Sequence, residues 1–178
     1  IVSDHVFSEL FTLPQGEIDP TAQLVTDYTV SDDGRTYTFS LREDVTFDNG
    51  DQLTAQDFVY SWERLAASEN STEGETILEG GFQIAYDTVT ETVDGEEQEV
   101  YDPGSLAVEA VDDQTLEVTL DAPFVDALFW FAYGSLSPVP EGIVGDIEGY
   151  DGEMEYSEFS SQNPVGTGPY EIGSVSTG

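Results

Sequence analysis

"SDDGRTYTFSLREDVTFDNGDQLTAQDFVYSWERL", residues 31–65, carries two structural periods back to back. Tyr37, Phe39 and Leu41 alternate with Thr36, Thr38 and Ser40, the period of a strand with one buried face. Upstream, "LVTDYTV" supplies a partner strand, and Asp33-Gly34 between them suits a tight hairpin because it tolerates positive φ. A second turn falls at "DNGD", residues 48–51. Thr54 with Asp57 three positions later then predicts a capped helix start, and Phe58, Trp62 and Leu65 recur at helical spacing over residues 55–67.

Outward from this segment the signals continue. "LAVEAVDDQTLEVTLDAP", residues 106–123, reads as a second hairpin with Leu116, Val118 and Leu120 inward. Val2, Val6 and Leu10 at four-residue spacing behind Ser3 predict a short helix over 3–11. "PFVDALFWFAY", residues 123–133, predicts a buried helix, "SLSPVP" an extended stretch, and "NPVGTGPYEIGSV" a turn feeding a last strand. Between 68 and 104, "ENSTEGE" is loop-like and "TILEGGFQIAYD" has helical content broken by two glycines. "VDGEEQEVYDPG" reads as a solvated insertion. Antiparallel hairpins separated by helices place the chain in the α+β class.

Charge is the other dominant feature. The 178 residues hold 38 Asp and Glu, one His and only three cations, for a formal net charge of −35. Those cations, Arg35, Arg42 and Arg64, all lie within the opening segment. Apolar residues make up 38% and aromatics 12%, enough for a packed core, so the acidity does not mark a disordered tail. Self-repulsion at this charge opposes the compact state in dilute buffer, and salt above about 1 M, with a screening length of roughly 3 Å, removes most of that penalty. A halophilic source is expected. Nucleic acid and anionic membrane are excluded as partners of the isolated chain, since both are bound through clustered Lys and Arg.

Zero Cys excludes disulfides, thiolate nucleophiles and zinc-thiolate sites. No run matches the calcium-loop spacing, and "VGTGPY" lacks the Lys-Ser/Thr of a phosphate loop, so neither a metal nor a cofactor is expected. An enzyme remains the main alternative class, because paired carboxylates perform acid and base chemistry in glycosidases. With so many carboxylates, pairs at suitable separation arise by chance. His5 has no Cys partner and no assembled Ser-Asp context, and reads as a surface helix residue. The longest strongly apolar stretch, 124–134, contains Asp126 and is too short to span a bilayer. The chain opens at "IVSDHVFSEL" without Met or a basic leader and stops at "SVSTG" just after its last predicted strand begins, so a segment of a longer protein is expected.

The opening segment closely resembles the signature of the family 5 extracellular solute-binding proteins, the oligopeptide, dipeptide and nickel receptors of ABC importers. The resemblance rests on Asp33-Gly34, "TYTFSLR" ending at Arg42, Phe47, "NGDQLTAQDF" and "SWERL", with "VEAVDDQTLEVTLDAP", "SPVP" and "NPVGTGPYEI" following in order. It implies a small mixed α+β domain of a two-lobed, type II periplasmic-binding-protein-like fold. Residues 1–7 would end a first-lobe segment, 8–140 form the small domain and 141–178 return into the first lobe. The chain would then be about a third of a receptor that works outside the cell, associated with the cell surface through a lipid anchor. Such a receptor binds a peptide or other small solute, hands it to an ABC permease and catalyses nothing. Sugar or nickel binding within the family, or a non-catalytic surface interaction module, are the alternatives. Arg42 and Arg64 match basic positions of the pattern and are expected to pair locally with carboxylates, so the cations form a structural signature and not a binding patch. "ENSTEGE" departs from the Tyr that some peptide receptors carry after the signature helix. Tyr133, just before the return to the first lobe, is the one residue expected on the ligand side; as a purely structural residue it would be an aromatic packed at a helix end. A fragment without its lobe partners is expected to self-associate.

Overall fold

The computed structural model describes residues 6–17, 19–68, 73–79, 82–93, 95–143 and 164–171. Its framework is the pair of hairpins that the sequence predicts. β1 (Phe11–Thr12) pairs with β2 (Thr21–Ala22), and β3 (Val25–Val30) and β4 (Thr36–Leu41) form the first long hairpin. α1 (Ala55–Ala66), α2 (Glu75–Leu78), β5 (Thr88–Val93) and β6 (Glu96–Tyr101) follow. β7 (Val108–Asp112), β8 (Thr115–Thr119), α3 (Ala127–Trp130) and a 3₁₀ turn at Gly134–Leu136 complete the described order. The four-stranded antiparallel sheet runs β3-β4-β8-β7, and β5-β6 is a separate two-stranded ribbon.

Local chemistry explains the framework. Gly34 takes φ +72° at the β3–β4 turn, where a Cβ would also come within 3.3 Å of Pro123. Tyr37, Phe39 and Leu41 are buried, and across the ladder Phe39 stands opposite Leu116 and Tyr37 opposite Val118, so the two hairpins share one apolar face. α1 starts at Thr54, whose backbone N–H and hydroxyl both donate to the Asp57 carboxylate, at 2.8 and 3.0 Å. Phe58 and Trp62 are fully buried beneath it. The same helix holds the return of the chain. Trp62 Nε1 donates to the Leu136 carbonyl at 2.9 Å, the Val139 N–H to Ser61 Oγ at 2.8 Å, and the Glu141 N–H to Asp57 Oδ1 at 2.8 Å. Phe131 sits at the centre of the core, its ring 4.9 Å from Phe39, 5.0 Å from Phe82 and 6.0 Å from Trp62.

Three expectations are corrected. The helix predicted over 3–11 does not run to 11: Val6 is helical, but residues 7–10 belong to neither helix nor strand and lead into β1, and residues 3–5 lie outside the described residues. Val6, Ser8 and Leu10 are buried while Phe7 and Glu9 are half-buried, a period of two. A spacing of four satisfies both periods, and backbone pairing to other segments ends the helix early: Val6 O accepts from Gly168 N–H, and Leu10 O from Gln23 N–H and Leu24 N–H. The buried helix over 123–133 shrinks to the single turn of α3, with Ala127 and Phe131 buried but Val125 98% exposed. The stretch 93–104 is solvated in its described residues but ordered as half of the β5-β6 ribbon. His5 and the last predicted strand, beyond residue 171, lie outside the described residues.

The turn at Gly166-Thr167-Gly168 brings two backbones together. A Cβ on Gly166 would lie 2.0 Å from Val6 O, and the Gly168 N–H bonds that same oxygen at 2.7 Å. Only glycine fits this crossing.

Candidate functional site

Tyr133 lies where α3 gives way to the 3₁₀ turn. Its N–H donates to the Trp130 carbonyl and its carbonyl accepts from Leu136 N–H, both at 2.9 Å, so the backbone of this residue is fixed on both sides. Its side chain is 44% exposed, the ring meeting Trp130 edge to face at 6.0 Å. The indole of Trp130 is itself stacked flat on the buried Phe82, 5.7 Å away at 8°. Tyr133 thus stands on an aromatic pile rooted in the core, with Phe129 39% exposed on the same helix turn. The short helix leaves these rings at the surface because the apolar run is too short and too continuous to bury them all.

Two carboxylates converge on the residues that follow Tyr133. Ser135 Oγ donates to Glu73 Oε2 at 2.7 Å and Ser137 Oγ to Glu9 Oε1 at 3.4 Å. Glu9 Oε1 also lies 3.6 Å from the point where a Cβ on Gly134 would sit. Glu9 and Glu73 are both half-buried. Sequence reasoning singled out Tyr133 but not these two acids, which come from distant parts of the chain and have no motif around them.

The arginines do not converge. Arg42 makes a two-pronged ion pair with Asp44, Nε to Oδ1 at 2.9 Å and Nη2 to Oδ2 at 2.8 Å. The carboxylate's hydrogen bonds and charge raise the Arg42 pKa and those of the guanidinium lower that of Asp44. The pairing matches expectation, but both side chains are well exposed, so it adds little stability. Arg35 Nε instead donates to the Leu120 carbonyl at 3.0 Å, and Arg64 is buried in the last turn of α1. Arg35 and Arg42 flank β4 at opposite ends, roughly 20 Å apart by strand rise. Among the described residues no group of three or more His, Asp or Glu is placed to hold a metal ion, and no helix is long and apolar enough to cross a membrane.

A buried carboxylate escaped the sequence reading. Glu63, 3% exposed in α1, accepts the Tyr101 hydroxyl, the Gly104 N–H at 3.0 Å and the Leu106 N–H at 2.9 Å. Burial pushes its pKa up, and the three donors pull only part of it back; burial and the adjacent carboxylate likewise push the Tyr101 hydroxyl far up. Glu63 ties the base of the β5-β6 ribbon to the signature helix, a structural task. Nothing in its spacing sets it apart from the surface acids.

Residues 19–178 match the family described as bacterial extracellular solute-binding proteins, family 5 Middle. The chain belongs to this family. It is 35% identical over 112 residues to the periplasmic oligopeptide-binding protein OppA of Escherichia coli, covering 63% of this chain and 19% of that protein. It is 30% identical over 162 residues to the dipeptide-binding protein DppE of Bacillus subtilis, covering 86% and 25%. The fold superposes on the crystal structure of Haemophilus influenzae OppA in complex with RPPGFSPFR with a TM-score of 0.70 and 26% identity, over 98% of this chain and 31% of that one. The chain therefore spans about a fifth to a third of the length of its relatives, and its architecture is a small mixed α+β domain of the two-lobed periplasmic binding fold.

Proposed function

We propose that this chain is part of the solute-binding receptor of an ABC importer, taking up peptides outside the cell and delivering them to a membrane permease. The observation that carries the reading is the family match over residues 19–178, supported by the fold shared with a peptide-bound OppA. In this reading the receptor is non-catalytic. Two lobes close over the solute and bury its backbone polar groups against protein donors and acceptors. Residues 8–140 form the small domain, while 1–7 and 141–178 run toward the first lobe. The Gly168 N–H to Val6 O bond supports this division, since it joins a residue of each connecting segment. The exposed Tyr133 faces the solute. The receptor is tethered at the cell surface by a lipid anchor and, from its charge, belongs to a halophile. Taken without its lobe partners, this segment self-associates through the apolar surface they would cover.

The test is a thermal-shift series on the full-length receptor in high salt against di- to pentapeptides, simple sugars and nickel. A rise in Tm with peptides alone is expected. A rise only with sugars or nickel overturns the peptide assignment, and hydrolysis of any of these solutes overturns the non-catalytic one.

A further inference from the structure

The exposed turn Asp48-Asn49-Gly50-Asp51 carries the arrangement from which an asparagine loses its amide without an enzyme. The chain holds three asparagines, Asn49, Asn70 and Asn163, and they differ in the residue that follows. The reaction needs the next backbone nitrogen to attack the side-chain carbonyl carbon and close a ring. Pro164 after Asn163 has no N–H to give up. Ser71 after Asn70 has a side chain that crowds the ring, whereas Gly50 has none.

The structure adds to that difference. Asn49 Oδ1 accepts from the Asp51 N–H at 3.0 Å, which folds the side chain back over the Gly50 peptide between them. The same N–H polarises the amide carbonyl and is in place to hold the oxyanion that forms there on attack. Asn49 Nδ2 donates to Asp51 Oδ2 at 2.7 Å, so both polar atoms of the amide are fixed. One contact opposes the reaction: the Gly50 N–H donates to the Phe47 carbonyl at 2.9 Å and must let go before its nitrogen can attack. A single hydrogen bond in an exposed turn slows that step by roughly tenfold at most.

We propose that Asn49 is a modification site, converting through a succinimide with Gly50 to aspartate and isoaspartate, and that the isoaspartate form frees the turn from the Gly166 crossing. Hydroxide removes the Gly50 amide proton, the nitrogen bonds to Asn49 Cγ, and the Cγ–Nδ2 bond breaks to release ammonia, which takes its added proton from water. Water then opens the ring at either carbonyl, leaving a carboxylate in place of the amide. Opening at the Asn49 backbone carbonyl routes the main chain through Cγ and lengthens it by a methylene. The turn is closed on both sides: the Phe47 N–H bonds Asp51 O at 2.8 Å, and the Asp48 N–H bonds Gly166 O at 3.0 Å. A longer main chain at residue 49 cannot keep both. The aspartate product leaves the main chain as it was and only sets a carboxylate against Asp51 Oδ2, where an N–H had donated.

The test incubates the folded full-length receptor in high salt at mildly alkaline pH and follows all three asparagines by peptide mass mapping, with a synthetic peptide of residues 45–53 as the unfolded reference. Conversion of Asn49 within roughly tenfold of the peptide's rate is expected, with Asn70 slower and Asn163 unchanged. Hydrogen exchange at the Asp48 amide should quicken by roughly tenfold in the separated isoaspartate form and not in Asn49→Asp, which gains the charge with the main chain intact. Conversion of Asn49 slower than that limit, or slower than that of Asn70, overturns the site. Isoaspartate with the Asp48 amide still protected overturns the release. Exchange that quickens as far in Asn49→Asp overturns it too, since the loosening would then come from charge.

Discussion

Replacing Gly166 by Ala isolates the backbone crossing that holds the 164–168 turn against residues 6–8. Two effects compete. Gly166 does not lie in the positive-φ region, so the added Cβ restricts the unfolded chain and by itself stabilises by about 0.4–1 kcal/mol. Against this, the new Cβ meets Val6 O at 2.0 Å, Val6 C at 2.8 Å and Phe7 Cδ1 at 2.9 Å, where real Cβ contacts almost never fall below 3.0 Å. Because the obstacle is backbone, no rotamer relieves it. If the crossing is kept, overpacking costs about 1–3 kcal/mol. If the turn instead retreats, it gives up the Gly168 N–H to Val6 O bond at 2.7 Å and strains that from Asp48 N–H to Gly166 O at 3.0 Å, for about 1–3 kcal/mol together. Both routes outweigh the entropic gain. Urea unfolding in high salt should show a lower midpoint at unchanged slope, and hydrogen exchange should show lost protection at the Gly168 amide. An unchanged or raised midpoint with that amide still protected would refute the reasoning.

Glu63→Gln should destabilise by about 1–3 kcal/mol, because an amide offers one acceptor oxygen to three donors and leaves one N–H unanswered, as read by the urea midpoint. The same substitution has a pH signature. The Glu63 pKa is raised in the folded state, so the fold binds its proton more readily than the unfolded chain; stability from this group is full below the ordinary value of 4.5 and is lost as pH rises through the elevated value. Acidification from neutral toward pH 5 should therefore stabilise the wild type more than Glu63→Gln, and parallel curves would contradict the assignment. Dialysis from about 3 M to 0.1 M salt lengthens screening from under about 3 Å to roughly 10 Å, so a chain of net charge −35 should lose its folded circular dichroism signal; an unchanged spectrum would contradict the screening argument.

The sequence was most legible where one period was unambiguous. The alternation through Tyr37, Phe39 and Leu41 and the Phe58, Trp62, Leu65 stripe set the long hairpin and α1. Leu10 misled because its four-residue spacing from Val6 is common to strand and helix, whereas the helix stops at Val6. The run from Phe124 to Ala132 misled because a near-continuous apolar stretch has no period at all, and length alone does not say how much of it is buried. The ribbon was hidden for the opposite reason: its surface is polar on both sides, with the Thr88 and Thr90 hydroxyls both donating to Glu99, so no buried face marks it. Of the candidate site, Tyr133 could be named from the chain, whereas Glu9 and Glu73 become its neighbours only through β1 packing on α3 and the Ser135 and Ser137 hydroxyls. Glu63 could not be found from sequence, since one buried acid among 38 looks like the rest until its three donors are in place.

The most direct test of the central claim is calorimetric titration of the full-length receptor with an unlabelled oligopeptide in high salt. A saturable heat at one peptide per receptor is the predicted result. No heat from any peptide, with the receptor folded by circular dichroism, would contradict it.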